Sequence, residues 1–494
     1  MIVATLCLVL SGASVAHAAA SPGGTAHHGR WILDSTGRVL LLHGLNMVSK
    51  RPPYLPSAVG FGADDAAFLA RNGFNVVRLG VIYGAVEPSP GSFDPVYLAR
   101  IARTVRQLGA RGIHTLLDFH QDQYNERFHG EGFPAWAVQD DGLPNLPDLG
   151  FPANYVGMPA LQHAFDHLWA DSAGPGGVGL QERYAAAWGA VARRFAGDGH
   201  VLGYDLFNEP WPGTDWTPCV APAGCAAFDA KLGTLQRKAI AAIRGADRRH
   251  LVWYEPNVLF NQGVAQTRLP DFGDARAGMS FHDYCLAGTT AAACAKGEQG
   301  ALANALARSG HTGDAVLLSE FGSTTDTSVL TRVEDEADAQ LMPWIEWAYC
   351  GCDDPTGSVP PSAEALVLDP HKPPRGANVQ RSTLRALERP YPQAVAGTPK
   401  SFSFNARNGV FKLSYSTRRA GSRHGFKPGS CTAVFVPALQ YPHGYRVRVH
   451  GAKALSGPAG LLELWGGRAK TVTLTVAPSR NSGTRPPSTT HACR

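Results

Sequence analysis

Two glutamates, each at the end of a short apolar run, are the residues of this chain best suited to chemistry. Leu202-Gly203-Tyr204-Asp205-Leu206-Phe207 runs into Asn208-Glu209-Pro210, and Val316-Leu317-Leu318-Ser319 runs into Glu320-Phe321-Gly322. An apolar run that empties into polar residues and a Pro or Gly reads as a buried strand reaching a loop. Two carboxylates delivered to one rim by two such strands can cleave a glycosidic bond. One protonates the leaving oxygen and later activates water, while the other attacks the sugar; in this retaining arrangement they stand about 5–5.5 Å apart. Glu209 is assigned as acid/base and Glu320 as nucleophile.

Other strand-end residues fill supporting roles. Glu209 is expected to be protonated at rest, through burial and the nearby charge of Glu320. Arg78 is expected to keep Glu320 ionised. Asn208 could bond the 2-hydroxyl of a sugar, Tyr284 could orient Glu320, His282 could orient Glu209, and Trp347 offers an apolar floor for a ring. Glu255, at the end of another run, is a rival carboxylate. It ranks lower because the pair at Glu209 and Glu320 matches the retaining layout. Asn-Glu-Pro alone occurs by chance in many proteins, and His114, His163 and His167 read as surface or structural histidines. The chain has no Gly-x-Ser-x-Gly, His-Glu-x-x-His or phosphate-loop motif.

The elements that must position these groups recur eight times. Apolar runs at Val39–Leu42, Phe74–Leu79, Thr115–Phe119, the run ending at Glu209, Leu251–Tyr254, Met279–Phe281, the run ending at Glu320, and Trp344–Tyr349 alternate with helix-like stretches. In one such stretch Tyr97, Ile101, Val105 and Leu108 recur at helical spacing. Eight such units predict an α/β fold, a (β/α)8 TIM barrel over 30–390, with its active site at the C-terminal strand ends. Arg78, His120, Asn208, Glu209, His282, Tyr284, Glu320 and Trp347 all fall there. From about Lys400 the pattern changes to period two, broken by Gly, Pro and Asn. It predicts a small C-terminal antiparallel β-sandwich over 398–478. Residues 479–494, rich in Ser, Arg, Pro and Thr, read as a disordered tail.

The chain has 494 residues and a formal net charge of +5, with no Lys/Arg-dense stripe, which argues against nucleic acid as a partner. Residues 1–20, apolar and then small, read as a secretory signal peptide without a basic start. Secretion is the expected localisation, with cell-surface association as a variant. Of nine cysteines, Cys7 would leave with that signal. The remaining eight read as disulfide partners in an exported chain. Cys219 clusters with Cys225, Cys285 with Cys294, and Cys350 with Cys352, while Cys431 and Cys493 stand apart. A Cys350–Cys352 bond would close a very tight ring. The cysteine intervals do not fit a four-ligand zinc site.

The runs Val-Val-Arg78-Leu-Gly80, Asp118-Phe119-His120-Gln121-Asp122, Asp205 through Pro210, His282-Asp283-Tyr284 and Ser319-Glu320-Phe321-Gly322 resemble glycoside hydrolase family 5 of the clan A barrels. Gly44 through Lys50 and Phe207-Asn208-Glu209-Pro210-Trp211-Pro212-Gly213 resemble, more narrowly, its endoglycoceramidase branch. The resemblance implies hydrolysis of the β-glycosidic bond between an oligosaccharide and ceramide in glycosphingolipids, with retention and without metal or other cofactor. It also implies that Lys50, His120 and Asp122 contact the first sugars. The implied partners are the glycolipid and, transiently, a membrane or micelle surface; a monomer is expected.

About 80 residues separate the third run from the fourth, far more than the roughly 30 of a plain βα unit. This insertion, with Phe133 and Trp136 among its aromatics, could wall the barrel mouth and receive acyl chains, or could pack only on itself. The rival functions are an exo-acting glucosylceramidase, an endo-β-glucanase or mannanase, and a non-catalytic glycan- or lipid-binding module. The sandwich reads as a brace for the barrel.

Overall fold

A computed structural model describes residues 24–285, 290–457 and 460–479. The expected signal peptide, Cys7, Cys493 and the tail from 480 lie outside the described residues.

Eight parallel strands close into a barrel: β1 (His43–Met47), β2 (Val76–Val81), β3 (His114–Phe119), β4 (Val201–Asp205), β5 (Leu251–Tyr254), β6 (Ala277–Asp283), β7 (Ala315–Phe321) and β8 (Trp344–Glu346). Helices connect most of them, and each forms for a local reason. Pro95–Gly109 begins with Pro at its first position, and Asp94 accepts from the Val96 and Tyr97 backbone N–H groups at 2.7 and 3.0 Å. Leu180–Phe195 buries Leu180, Tyr184, Trp188, Val191 and Phe195, a helical stripe facing the barrel.

One expected strand is split. The run Val39–Leu42 is apolar throughout and leads straight into His43, so periodicity could not divide it. Val39–Leu40 pairs with Tyr391–Val395, and only His43 onward enters the barrel. The second domain differs accordingly from the expected 398–478. One of its sheets has seven strands, running through Ala26–His28, Trp31–Leu33, Val39–Leu40, Tyr391–Val395, Cys431–Phe435, Leu461–Gly466 and Ala452–Ser456. The other has four: Thr398–Asn405, Val410–Ser416, Thr471–Pro478 and Tyr445–His450. The N-terminal segment therefore belongs to the sandwich. Both are antiparallel, and inward residues such as Phe411, Leu413 and Tyr415 are buried between exposed neighbours.

The seven-stranded sheet seals one end of the barrel. Ile32, Leu40, Ala394, Cys431 and Ala433 share an apolar cluster with Val76, Leu116, Leu202, Leu251, Leu317 and Ile345, near the starts of the barrel strands. Tyr391 Oη also donates to the Gly73 carbonyl at 2.6 Å. The opposite, C-terminal end stays free for a site.

The insertion between β3 and β4 is mostly an apolar layer in its own right. Phe128, Phe133, Met158, Leu161 and Phe165 are buried. The Phe133 ring stacks on Tyr124 at 4.0 Å, and Trp136 Nε1 donates to the Glu87 carbonyl at 3.0 Å. Phe133 and Trp136 follow neither expected use: they pack inward on the barrel, Phe133 against Tyr83 and Phe207 and Trp136 against Tyr83. Leu146, Leu149 and Val156 instead face solvent, at 62%, 57% and 48% exposure. Disulfides join Cys219–Cys225, Cys285–Cys294 and Cys350–Cys352. Among the described residues no helix is long and apolar enough to cross a membrane.

Candidate active site

Arg78, midway along β2, has no exposed surface and organises the floor of the C-terminal end. Its Nε donates to Asp205 Oδ2 at 2.8 Å, and Nη2 donates to Asn208 Oδ1 at 2.9 Å and Glu255 Oε1 at 3.0 Å. Its Nη1 donates to Glu320 and, at 3.3 Å, to Asn46 Oδ1. Asp118 Oδ1 lies 3.0 Å from Nη2. One guanidinium thus faces four carboxylates. Burial works against its charge, but Asp118, Asp205, Glu320 and Glu255 outweigh burial and hold Arg78 well above its ordinary value.

The strands bring the two glutamates together. One oxygen each of Glu209 and Glu320 and one ring nitrogen of His282 lie within 4.8 Å of one another. Glu320 ends β7, and its Oε2 accepts from Tyr284 Oη at 2.9 Å. Glu209 sits four residues beyond β4 with a left-handed φ of 47°, a conformation that costs a non-glycine residue energy and that neighbours must hold. The surrounding loop supplies those neighbours. Glu209 N–H donates to Glu255 Oε2 at 2.9 Å, and Asn208 N–H donates to the Phe119 carbonyl at 3.1 Å. Gln121 Nε2 donates to the Asn208 and Glu209 carbonyls at 2.9 and 3.2 Å.

His282 Nδ1 stands 2.7 Å from Glu209 Oε1 and 3.5 Å from Glu320 Oε2, while its Nε2 stands 3.3 Å from Glu255 Oε1. Burial opposes charge on this ring, yet Glu320 and Glu255 hold it well above the ordinary histidine range. Burial pushes Glu255 up to about 7, against the pull of His282 and Arg78. Burial also raises Glu320, and His282 and Arg78 only partly offset it. Arg78 favours the ionised Glu320 as expected, but it divides its charge among four acids and does not outweigh burial. The Glu209 side chain is more open than that of Glu320, at 13% against 6% exposure.

The residues implied as sugar contacts lie beside the pair and are densely tied to the protein. Lys50 Nζ lies 2.7 Å from both Asp122 Oδ2 and Asp354 Oδ2, and donates to Thr356 Oγ1 at 2.9 Å. All three of its protons have partners within the protein. Asp122 would be raised by burial, but Lys50 and His120 hold it below the usual carboxylate range. His120 Nδ1 meets Asp118 Oδ2 at 2.7 Å. Burial opposes its charge, but Asp118 and Asp122 raise the ring to about 10. Its buried Nε2 stands 3.5 Å from Asp122 Oδ2 and 4.0 Å from Glu131 Oε1. Trp347 follows β8, stacks near His120 at 5.3 Å between centroids, and has Lys50 Nζ 4.5 Å from its ring. Asn208, through Oδ1, is committed to Arg78, and its Nδ2 donates to the Gln121 carbonyl at 3.0 Å.

Sequence reasoning gave no role to Asp118, Asp205, Ser280, Asn261, Glu131, Asp354, Thr356 or Glu364. Ser280 Oγ donates to Asp205 Oδ1 at 2.7 Å, and Asn261 Nδ2 approaches Glu209 Oε1 at 3.4 Å. Asp118 and Asp205 were detectable, since each is a lone acid inside an apolar strand. Asp354 and Thr356 lie in irregular chain after β8, and Glu364 ends a four-residue helix too short to show a period, so none carries such a mark. Two acid–imidazole groups have the donor sets to hold a cation: His120, Asp122 and Glu131, and the Glu209–His282–Glu320 group. Lys50 and Arg78 already bring positive charge to these acids.

Residues 57–352 match the family described as cellulase (glycosyl hydrolase family 5), and residues 389–483 match the glycoside hydrolase family 5 C-terminal domain. Endoglycoceramidase I of Rhodococcus hoagii (strain 103S) is 33% identical over 445 residues, covering 87% of this chain and 83% of that protein. The solved structure of endo-glycoceramidase II from Rhodococcus sp. as a lactosyl-enzyme intermediate superposes with a TM-score of 0.75 at 29% identity, covering 91% of this chain and 99% of that one. The same enzyme in complex with ganglioside GM3 gives 0.72 at 28% identity, with the same coverage.

Proposed function

This chain belongs to glycosyl hydrolase family 5, and from that membership and its site we propose that it is a retaining endoglycoceramidase. It hydrolyses the β-glycosidic bond between an oligosaccharide and ceramide in glycosphingolipids, releasing the glycan intact. The observation that carries the reading is the convergence of Glu209 and Glu320 at the C-terminal end of the barrel, with one oxygen of each within 4.8 Å, in keeping with the close pair of a retaining enzyme. The relative captured as a lactosyl-enzyme intermediate supports a covalent route, and its complex with ganglioside GM3 supports a glycosphingolipid substrate. Likeness to endoglycoceramidases along most of the chain does not favour the exo-acting, polysaccharide-cleaving or non-catalytic readings.

The roles follow from the contacts. Glu320, oriented by Arg78 and Tyr284, attacks the anomeric carbon. Glu209 gives its proton to the ceramide oxygen as that bond breaks, and the glycosyl group stays on Glu320. Glu209, now ionised, takes a proton from water, which attacks the same carbon and frees Glu320. His282 bridges the two carboxylates and steadies whichever is charged at each stage. Trp347, Asp122, His120 and Lys50 form the glycone side. Leu146, Leu149 and Val156 are the apolar surface offered to the lipid aggregate. The disulfides among the described residues support an extracellular location.

The test is trapping. An aryl 2-deoxy-2-fluoro-β-lactoside should add one fluorolactosyl mass to the peptide containing Glu320. A protein that turns over aryl lactoside yet never acquires the label would refute the covalent route.

A further inference from the structure

We propose that Glu364 is a positioning residue that fixes the indole of Trp347 as the sugar-binding surface. The inference rests on the reading above, in which Trp347 meets the glycone. Glu364 lies in the chain that folds back over the glycone side after β8, in the short helix Pro361–Glu364. Its carboxylate is almost wholly buried. Glu364 Oε2 accepts from Trp347 Nε1 at 3.2 Å and from Ser323 Oγ at 3.1 Å. Its main chain is engaged at the same place, because Ala348 N–H donates to the Glu364 carbonyl at 3.0 Å.

These bonds close a frame around one residue. Trp347 N–H donates to the Phe321 carbonyl, and Ser323 N–H donates to the Trp347 carbonyl, each at 2.8 Å. The main chain of Trp347 is therefore tied to the segment that carries Glu320. His120 and Lys50 lie against the Trp347 ring, and among the described residues its side chain's one hydrogen bond is from Nε1 to Glu364. An indole has one polar atom, a donor, so a single acceptor fixes which ring edge turns toward it, while the packing on its faces limits tilt. A carboxylate is suited to that task, because one oxygen can accept from both Trp347 and Ser323, and ionised acceptors bond more strongly than neutral ones. The same chain segment sends Asp354 and Thr356 to Lys50, so one loop holds both the ring and the cation 4.5 Å from it.

The titratable groups acting on Glu364 are Lys50, Asp354 and Glu346. Burial pushes Glu364 up to about 7, with Asp354 adding to the rise and Lys50 opposing it. The anchor therefore passes from neutral to ionised near neutral pH, and the bond to the indole strengthens as pH rises.

The experiment uses the full chain with a soluble aryl β-lactoside, which fills the glycone side and needs no lipid surface. E364A should raise KM about tenfold while kcat changes less than about twofold. W347F should raise KM similarly, and W347F/E364A should be no worse than W347F alone, since Glu364 acts through the ring. E364Q keeps an acceptor and should return KM to within about twofold of wild type, without the wild-type inflection of KM near pH 7. Additive losses in the double variant, or a lowered Tm with unchanged KM in E364A, would overturn the inference. If E364A does not fold, E364Q decides, and a KM in it as high as that of W347F would overturn the inference. A wild-type chain inactive on the lactoside would overturn this inference and the proposed function together. An active wild type with additive losses would overturn the inference alone.

Discussion

The backbone N–H of Glu209 is held by the carboxylate of Glu255, at 2.9 Å, while Glu209 keeps a left-handed φ of 47°. The acid/base is thus aimed by a strained turn, and a buried acid on the neighbouring strand end holds the strain in place. The other Glu255 oxygen accepts from Arg78 at 3.0 Å, which links the turn to the guanidinium that also orients Glu320.

Glu255 accordingly has no neutral substitute. Both of its oxygens accept, so a Gln amide would turn N–H groups toward the donors Arg78 or Glu209. E255Q should lower kcat about a hundredfold with KM little changed, and steady-state kinetics on an aryl lactoside checks it. Wild-type kcat in E255Q would show that the turn holds itself.

The two catalytic glutamates should separate by leaving group. E320Q should lose nearly all activity on every substrate. E209Q should lose it on ceramide glycosides yet keep much of the first step on a dinitrophenyl lactoside, whose leaving group needs no proton. A burst of dinitrophenol from E209Q followed by a slow phase is the expected trace, and intact ceramide-glycoside cleavage by E209Q would contradict the assignment.

The acid limb of kcat/KM should lie above the ordinary glutamate value of about 4.3. Burial raises Glu320 despite His282 and Arg78, and the nucleophile works only when ionised, so activity falls as pH drops through this raised value. Tyr284, kept as a phenol by burial and by Glu320, donates to the ionised form. Y284F should therefore move the limb to still higher pH and lower kcat/KM roughly tenfold or more near neutrality. A limb that stays in place would separate Tyr284 from the ionisation of Glu320.

Lipid contact should reside in the exposed leucines rather than in the buried aromatics. L146S/L149S should reduce cleavage of glycolipid in vesicles about tenfold, as expected when an apolar contact is lost, and leave aryl lactoside hydrolysis unchanged. Equal loss on both substrates would assign the pair to folding.

The barrel was legible because each strand leaves an apolar run with a polar end. Glu209, Glu320, His120, His282 and Trp347 could be placed at one rim for that reason, whereas Arg78 lies midway along β2, beneath it. Val39–Leu40 was misplaced because strands of two sheets follow each other without a polar break. Phe133 and Trp136 show a second limit: an aromatic's type does not say which way it faces. The holding residues were less visible still. Glu255 looked like a competitor of Glu209, and only its bond to the Glu209 N–H makes it a support. Asp354 and Thr356 sit in irregular chain and Glu364 in a four-residue helix, where no periodicity marks a side chain as inward.

The most direct measurement is mass spectrometry of the products after incubating the purified protein with a ganglioside in detergent, alongside E209Q and E320Q. The account predicts intact oligosaccharide and free ceramide from the wild type and neither product from the variants. Stepwise release of monosaccharides, or wild-type product from E320Q, would contradict it.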